Sequence, residues 1–235
     1  MEKLGWIGYG AFGRLACGHL GAHFDLIVHD AKPSRNAPAS LEEVAACERI
    51  VIAAPVQAIG DVAAALAPLI APGTRIYDVG SVKILPMQAM QDALPDHCEI
   101  IGTHPLFGPQ SAVRGLKSLP IVLCPSQGQD IACERDFLAN RLGLDVHVSD
   151  AETHDKTMAL VQGLTHLVSK VVAEIEATPA PYTTRSYDLL MEAAGLVAQD
   201  SDALFKAIEK LNPYSQDLRN RFFDSVTALS ERLED

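Results

Sequence analysis

Residues 3–20 read K-L-G-W-I-G-Y-G-A-F-G-R-L-A-C-G-H-L: a short apolar run, a cluster of glycines, then apolar residues at helical spacing. Strand, glycine loop and helix follow in the order that a phosphate-binding βα turn requires. Gly8 permits the tight turn, Gly10 lets a pyrophosphate approach the backbone, and Gly13 lets the helix pack closely. Ala11 and Phe12 lie between the last two glycines. The unpaired N–H groups of the helix start attract phosphate. A second apolar run over 24–29 ends at Asp30, 20 residues beyond Gly10. An acid there accepts hydrogen bonds from ribose hydroxyls and repels a 2′-phosphate, which favours NAD over NADP. Lys32 and Arg35 follow closely and leave NADP open, since they could cradle that phosphate.

Strand-like and helix-like runs alternate from there. Ser40 and Glu43 form a capping box, strands are expected at 49–54, 75–79, 99–103, 121–124 and 145–148, and helices at 56–70 and 131–142. This alternation predicts an α/β domain: a Rossmann-type, doubly wound parallel sheet covered on both faces. Strand four ends D-V-G-S-V-K, which puts Ser81 and Lys83 at the carboxyl edge. Strand five runs into I-G-T-H-P-L-F-G-P, residues 101–109, and places His104 in a turn at the same edge. Pro105 biases His104 toward an extended backbone, so its imidazole is aimed. A histidine at this edge sits where such folds do proton chemistry, against the plainer reading of a loop histidine between turn prolines.

After Asp150 the strand pattern stops. Residues 151–177 read as one long helix, ended by Pro179 and Pro181, and further helices are expected at 187–198, 202–210 and 213–233, the last capped by Asn212. The expected organisation is therefore a dinucleotide-binding domain over 1–150 and an all-α domain over 151–235. A helical domain this small needs a partner to bury its apolar faces, so a homodimer is expected. On the long helix Gln162 and His166 stand 7 and 11 residues beyond Asp155, near whole numbers of turns, so the three should share a face. For Asp155 and Gln162 the competing reading is a solvated helix face, and for His166 a satisfied core histidine.

The chain has 235 residues, 48% of them hydrophobic, and a formal charge of −11. That charge argues against a nucleic-acid or anionic-membrane partner. No apolar run is long enough to span a bilayer, and a cytoplasmic protein is expected. Five scattered cysteines show neither metal-ligand nor redox spacing, so no metal site is expected.

Taken together, G-Y-G-A-F-G, D-V-G-S-V-K, G-T-H-P-L-F-G-P, the T-H-D…G-L-T-H spacing over 153–166 and A-T-P…S-Y-D-L-L resemble the TyrA family of prephenate and arogenate dehydrogenases, most closely its plant-like arogenate branch. The resemblance covers residues 8 to about 205. It implies NAD(P)-dependent oxidative decarboxylation in tyrosine biosynthesis. It also implies that His104 polarises the substrate's 4-hydroxyl, that Ser81 orients that hydroxyl and the nicotinamide, and that His166 lines the substrate site; Gln162, on the same expected helix face, is a substrate-binding candidate with it. Asp155 stands where an acid would favour the ammonium of arogenate over the keto group of prephenate. The arginine that many bacterial members place before A-x-D-P is missing from G-L-V-A-Q-D, residues 195–200, so Arg114, Arg185 or Lys83 must hold the substrate carboxylates, with Lys117 a further cation near the His104 loop. The alternatives are another Rossmann hydroxyacid or imine dehydrogenase, and a non-catalytic dinucleotide sensor.

Overall fold

A computed structural model describes residues 1–175, 181–198 and 200–234. Packing divides the chain into two compact units, Met1–His154 and Asp155–Asp235. The A-T-P run with its proline stop at Pro179, and Gln199 of the G-L-V-A-Q-D run, lie outside the described residues.

The first unit is built on β1 (Lys3–Ile7), α1 (Ala11–Leu20), β2 (Asp25–Ser34), β3 (Ala37–Pro38), α2 (Leu41–Ala45), β4 (Arg49–Ile52), α3 (Ile59–Leu66), β5 (Arg75–Asp78), α4 (Ile84–Ala93), β6 (Glu99–Pro105), β7 (Pro120–Pro125), α5 (Ala132–Asp136) and β8 (Asp145–Val148). The strands form one eight-stranded sheet of order β3-β2-β1-β4-β5-β6-β7-β8. β1 is flanked by β2 and β4, both parallel to it, and this reversal of direction is the switch point of a doubly wound sheet. The apolar runs are nearly continuous because both faces are covered. Ile50 and Ile52 face one core with Val44, Leu66 and Met90, while Val51 faces the other with Trp6, Cys17 and Ile101. Ser40 and Glu43 close the capping box ahead of α2, each side chain accepting from the other residue's N–H at 3.2 and 2.8 Å.

Two departures from an all-parallel sheet stand out. β2 does not end near residue 29 but continues to Ser34 and turns back through Arg35 and Asn36 into the antiparallel β3. β6 and β7 are also antiparallel, with Thr103 opposite Leu123 and His104 opposite Val122. The physical reason is the same in both places: no crossover helix separates these strands, and a direct return pairs antiparallel. His104 therefore lies inside a strand rather than in a turn.

The second unit carries α7 (Leu164–Glu174), α8 (Arg185–Val197), α9 (Asp202–Leu211) and α10 (Ser215–Glu231). The helix that opens it is not a uniform α-helix: between α6 (Ala151–Met158) and α7 lies a π segment, Ala159–Gly163. A π turn holds more residues than an α turn, so the step of 7 from Asp155 to Gln162 falls short of two full turns. The final helix starts at Ser215 rather than Pro213, because Asn212 Oδ1 accepts from Tyr214 N–H at 2.9 Å and makes its own turn first. Asn212 Nδ2 then donates to the Asp155 carbonyl at 2.7 Å. No helix among the described residues is long and apolar enough to cross a membrane.

A buried ion pair holds the middle of the sheet. Lys83 and Asp78 are both fully enclosed, and Lys83 Nζ donates to Asp78 Oδ2 and, at 2.7 Å, to the Thr103 carbonyl. Lys83→Met is expected to cost about 3–5 kcal/mol in chemical denaturation, because it leaves a carboxylate buried without its counter-charge. The double variant Lys83→Met/Asp78→Asn is expected to lose less than the single one. Additive losses would show that the two side chains are not coupled.

Candidate active site

The glycine loop has the shape its sequence demands. Gly8 has φ of +102°, and a Cβ on it would lie 2.5 Å from the Ala53 carbonyl oxygen. A Cβ on Gly13 would meet Gly8 O at 2.3 Å, so α1 packs against the loop only because this residue is glycine. Around Gly10 the backbone is open, with nothing within 4 Å of a Cβ position. A dinucleotide phosphate fits such a loop: close walls at either end, open backbone between, and the N–H groups of α1 behind it. Phe12 projects from the same loop and packs near Phe107 at 6.3 Å between ring centroids.

Asp30 is tied to that loop. Its carboxylate accepts from Tyr9 N–H at 2.6 Å and from Lys32 N–H at 2.8 Å. The Tyr9 N–H, then that of Lys32, holds the carboxyl below its ordinary range, so it carries full charge beside the turn. Lys32 and Arg35 are exposed next to it, Arg35 in the β2–β3 turn.

At the carboxyl edge, Ser81 and His104 leave neighbouring strands, with Asp78 of β5 opposite Gly102 of β6. Ser81 is half-buried, and the residue that caps α4 is Lys83, so Ser81 is not spent as a helix cap. His104 is 3% exposed. Its Nδ1 lies 2.9 Å from Nε2 of His154, with the two rings edge to face. Burial, then the adjacent His154 and Lys83, pushes the His104 pKa well below 6.5, so the imidazole is neutral at physiological pH. When His104 donates from Nδ1 to His154, its Nε2 lone pair is the free base. The sequence reading passed over His154 although it stands in the quoted T-H-D run. Only Asp155 was singled out there, and no spacing rule separates the two.

Lys83 is not a substrate clamp. Its ammonium has no exposure and is engaged by Asp78 and the Thr103 carbonyl, so it holds the peptide bond that precedes His104. Thr103 Oγ1 donates to the Asp78 carbonyl, and Gly80 N–H donates to Asp78 Oδ2 at 2.8 Å. Burial pushes the Asp78 carboxyl up, and Lys83 opposes it. Of the other two cations, Arg114 is exposed in the loop before β7 and Arg185 is exposed at the first residue of α8.

In the second unit Asp155 has no exposure. His166 is 4% exposed and stacks on Phe205 at 6.4 Å, and its Nε2 lies 3.6 Å from Asp200 Oδ2. Burial, then Lys170, lowers the His166 pKa, while burial raises that of Asp200 against Lys170. Both groups are driven toward neutrality and the separation is long, so this is not a tight ion pair. His166 Nδ1 and Gln162 Oε1 are buried with no hydrogen-bond partner among the described residues. Asp200 was quoted in the G-L-V-A-Q-D run only for the arginine missing there; its partnership with His166 had no sequence signal.

Comparison with known proteins bears on both halves. Residues 150–235 match "Prephenate dehydrogenase, dimerization domain" and residues 30–146 match "Prephenate dehydrogenase, nucleotide-binding domain", the glycine loop lying ahead of the matched stretch. A probable arogenate/prephenate dehydrogenase of Methanocaldococcus jannaschii is 25% identical over 77% of this chain and 43% of its own length. The chloroplastic arogenate dehydrogenase 1 of Arabidopsis thaliana is 30% identical over 68% of this chain and 26% of its own. The chain thus spans less than half the length of these curated relatives. The prephenate dehydrogenase of A. aeolicus, solved with hydroxyphenyl propionate and NAD+, shares the fold with a TM-score of 0.73 at 18% identity, covering 99% of this chain and 91% of that one. With both domains matched in order, on a switch-point sheet that continues into helices, the chain belongs to the prephenate dehydrogenase family.

Proposed function

We propose that the protein catalyses NAD(P)-dependent oxidative decarboxylation of arogenate or prephenate, giving tyrosine or 4-hydroxyphenylpyruvate. The observation that carries this reading is the neutral, enclosed His104 held by His154 at the carboxyl edge of a sheet whose glycine loop is shaped for a dinucleotide. Residues Gly8, Gly10, Ala11, Phe12 and Gly13 would hold the pyrophosphate, and Asp30 the adenosine ribose. NAD(P)+, when bound, accepts the hydride that leaves the carbinol carbon. His104 Nε2 takes the proton of the 4-hydroxyl as that bond breaks, and His154 keeps the ring in the tautomer that can do so. Ser81 orients the hydroxyl. Loss of CO2 from the opposite ring carbon then restores aromaticity.

The substrate is a polyanion, so cations must meet it locally. Arg114 and Arg185 are the exposed arginines assigned to the carboxylates, with Lys83 withdrawn from that role. Gln162 and His166, whose buried polar atoms lack partners among the described residues, are assigned to the substrate side, as is Asp155 for an ammonium group. The division into a dinucleotide-binding domain, 1–150, and a helical substrate and dimerisation domain, 151–235, belongs to the same reading, as do the cytoplasmic location and the absence of a nucleic-acid partner. A homodimer is supported by the apolar side chains that α8 and α10 leave exposed, among them Leu190, Leu196, Phe223 and Val226.

Reduced-cofactor absorbance, followed over a matrix of two substrates and two cofactors, tests the reading. Turnover with neither substrate ends it. His104→Gln is expected to lower kcat by roughly a hundredfold or more while cofactor affinity, measured by fluorescence titration, is retained. The base must be unprotonated, and its pKa is lowered from 6.5, so the acid limb of kcat/KM is expected below pH 6.5. His154→Gln still offers an acceptor but removes the neighbouring imidazole, which should move that limb upward. His154→Leu, with no acceptor, should lower kcat by about 10- to 100-fold. A limb that stays in place in His154→Gln, with full kcat in His154→Leu, would remove His154 from the mechanism. Asp30→Asn is expected to shrink the preference for NAD over NADP by roughly tenfold, because it removes the charge that repels a 2′-phosphate. An unchanged ratio of the two kcat/KM values would place cofactor choice elsewhere.

A further inference from the structure

Trp6 is the only tryptophan of the chain and stands in β1, two residues before the first glycine of the loop. It is 2% exposed and packs with Leu4, Cys17, Val28 and Val51. An indole N–H in so apolar a core is costly unless an acceptor meets it. The acceptor is the carbonyl of Gly8, at 2.7 Å from Trp6 Nε1.

That bond fixes more than the indole ring. Gly8 C=O and Tyr9 N–H belong to one peptide unit, and in a planar trans peptide they point in opposite directions. The Tyr9 N–H is held as well, by Asp30 Oδ2 at 2.6 Å. One peptide plane of the glycine loop is thus gripped at both ends, by an indole from β1 and by a carboxylate from β2. The next carbonyl, that of Tyr9, accepts from Arg14 Nη1 of α1 at 3.2 Å. Gly13 leaves room for the grip: a Cβ there would lie 2.3 Å from the Gly8 oxygen and 3.2 Å from Trp6 Nε1.

A loop built of glycine needs such a restraint. The φ of +102° at Gly8 is open to glycine, and the same freedom lets the peptide that follows it turn. Half a turn would leave the indole without an acceptor and set a carbonyl oxygen against the Asp30 carboxylate. Both contacts therefore select one orientation. A loop free to turn would hold that orientation only part of the time, and affinity falls by the fraction lost.

We propose that Trp6 is a positioning residue for the dinucleotide: its indole N–H, acting through the Gly8 carbonyl, holds the glycine loop preformed in the orientation that Asp30 also requires. The proposal rests on the assignment of this loop to the pyrophosphate. A leucine or phenylalanine at position 6 would fill the core, but neither has the donor.

A single tryptophan makes the bond directly observable. In the full chain without ligand, the indole N–H proton resonance is expected to persist in heavy water after that of free tryptophan has exchanged, and to shift saturably when NAD+ is added without substrate. Trp6→Phe keeps an aromatic ring and removes the donor, and is expected to weaken NAD+ binding about three- to tenfold by titration calorimetry. Val51→Ala opens a gap in the same core without touching the bond; it should lower the thermal midpoint and leave NAD+ affinity unchanged. If Trp6→Phe does not fold, replacing the lone tryptophan with benzothienylalanine, whose sulfur stands in place of the N–H, gives the same comparison. No turnover is read, so failure here is distinct from failure of the dehydrogenase reading. An indole proton that exchanges as fast as that of free tryptophan, one that NAD+ does not shift, wild-type NAD+ affinity without the donor, or an equal loss of affinity in Val51→Ala would each overturn the proposal.

Discussion

A lysine ammonium with no access to water must find its partners inside the protein, and the arrangement of the sheet's carboxyl edge follows from how Lys83 does so. Its charge is met by Asp78 at the end of β5, and one further proton goes to the carbonyl of Thr103 in β6. The stem needs a path between those strands and α4. Gly102 provides it: a Cβ there would lie 2.7 Å from Met87 Sδ and 3.0 Å from Lys83 Cδ. Strand end, turn and neighbouring strand are thus locked together, and the peptide they lock is the one that leads into His104. Replacing the pair with well-packed apolar residues is often neutral or stabilising in other proteins. Its justification here is position.

Burial sets the protonation of the site, and His154 and this same charge add to it. A second cation beside buried Lys83 is unfavourable, and so is an imidazolium removed from water, so His104 stays neutral and available as a base. His154 then fixes which of its nitrogens is available. The net charge of −11 does not contradict an anionic substrate. At physiological salt the field of distant carboxylates decays over about 8 Å, and what a carboxylate meets is decided by the nearest one or two guanidinium groups. That is why the inward turn of Lys83 matters for specificity. Under the proposed function it leaves the task to arginines, which grip a carboxylate through two parallel hydrogen bonds where a lysine offers a point charge.

The features legible in the sequence are those fixed by local spacing. The glycine loop, the capping box at Ser40 and the strand–helix alternation depend on residues within about ten positions of one another, and they stand in the structure as read. The antiparallel returns of β3 and β7 were not legible, because an apolar strand carries no mark of its direction; only the missing crossover helix does. The π segment was hidden for a related reason. Periodicity presumes 3.6 residues per turn, and A-L-V-Q-G shows nothing that forbids a wider one. Lys83 was misassigned because sequence places a residue at an edge without saying whether it points outward. Its partner Asp78 was five residues away in the quoted run, but a five-residue gap between an acid and a lysine across a strand end has no preferred meaning. His154 lies 50 residues from the ring it holds. Only tertiary structure brings those two together.

Buried polar atoms distinguish a helix face that completes a core from one that awaits a ligand. In the first unit the buried side-chain atoms without a hydrogen-bond partner among the described residues, Asp78 Oδ1, Glu99 Oε2 and Glu134 Oε2, all belong to carboxylates paired with Lys83 or Arg75. In the second unit Gln162 and His166, four residues apart across the junction of the π segment and α7, each keep a buried atom unpaired among the described residues. Asp200, close to His166 but pushed toward its neutral form, does not resolve this. Had these side chains served packing alone, leucine or methionine would fill the same space without the desolvation cost. The cost is sensible where a polar ligand supplies the missing partners.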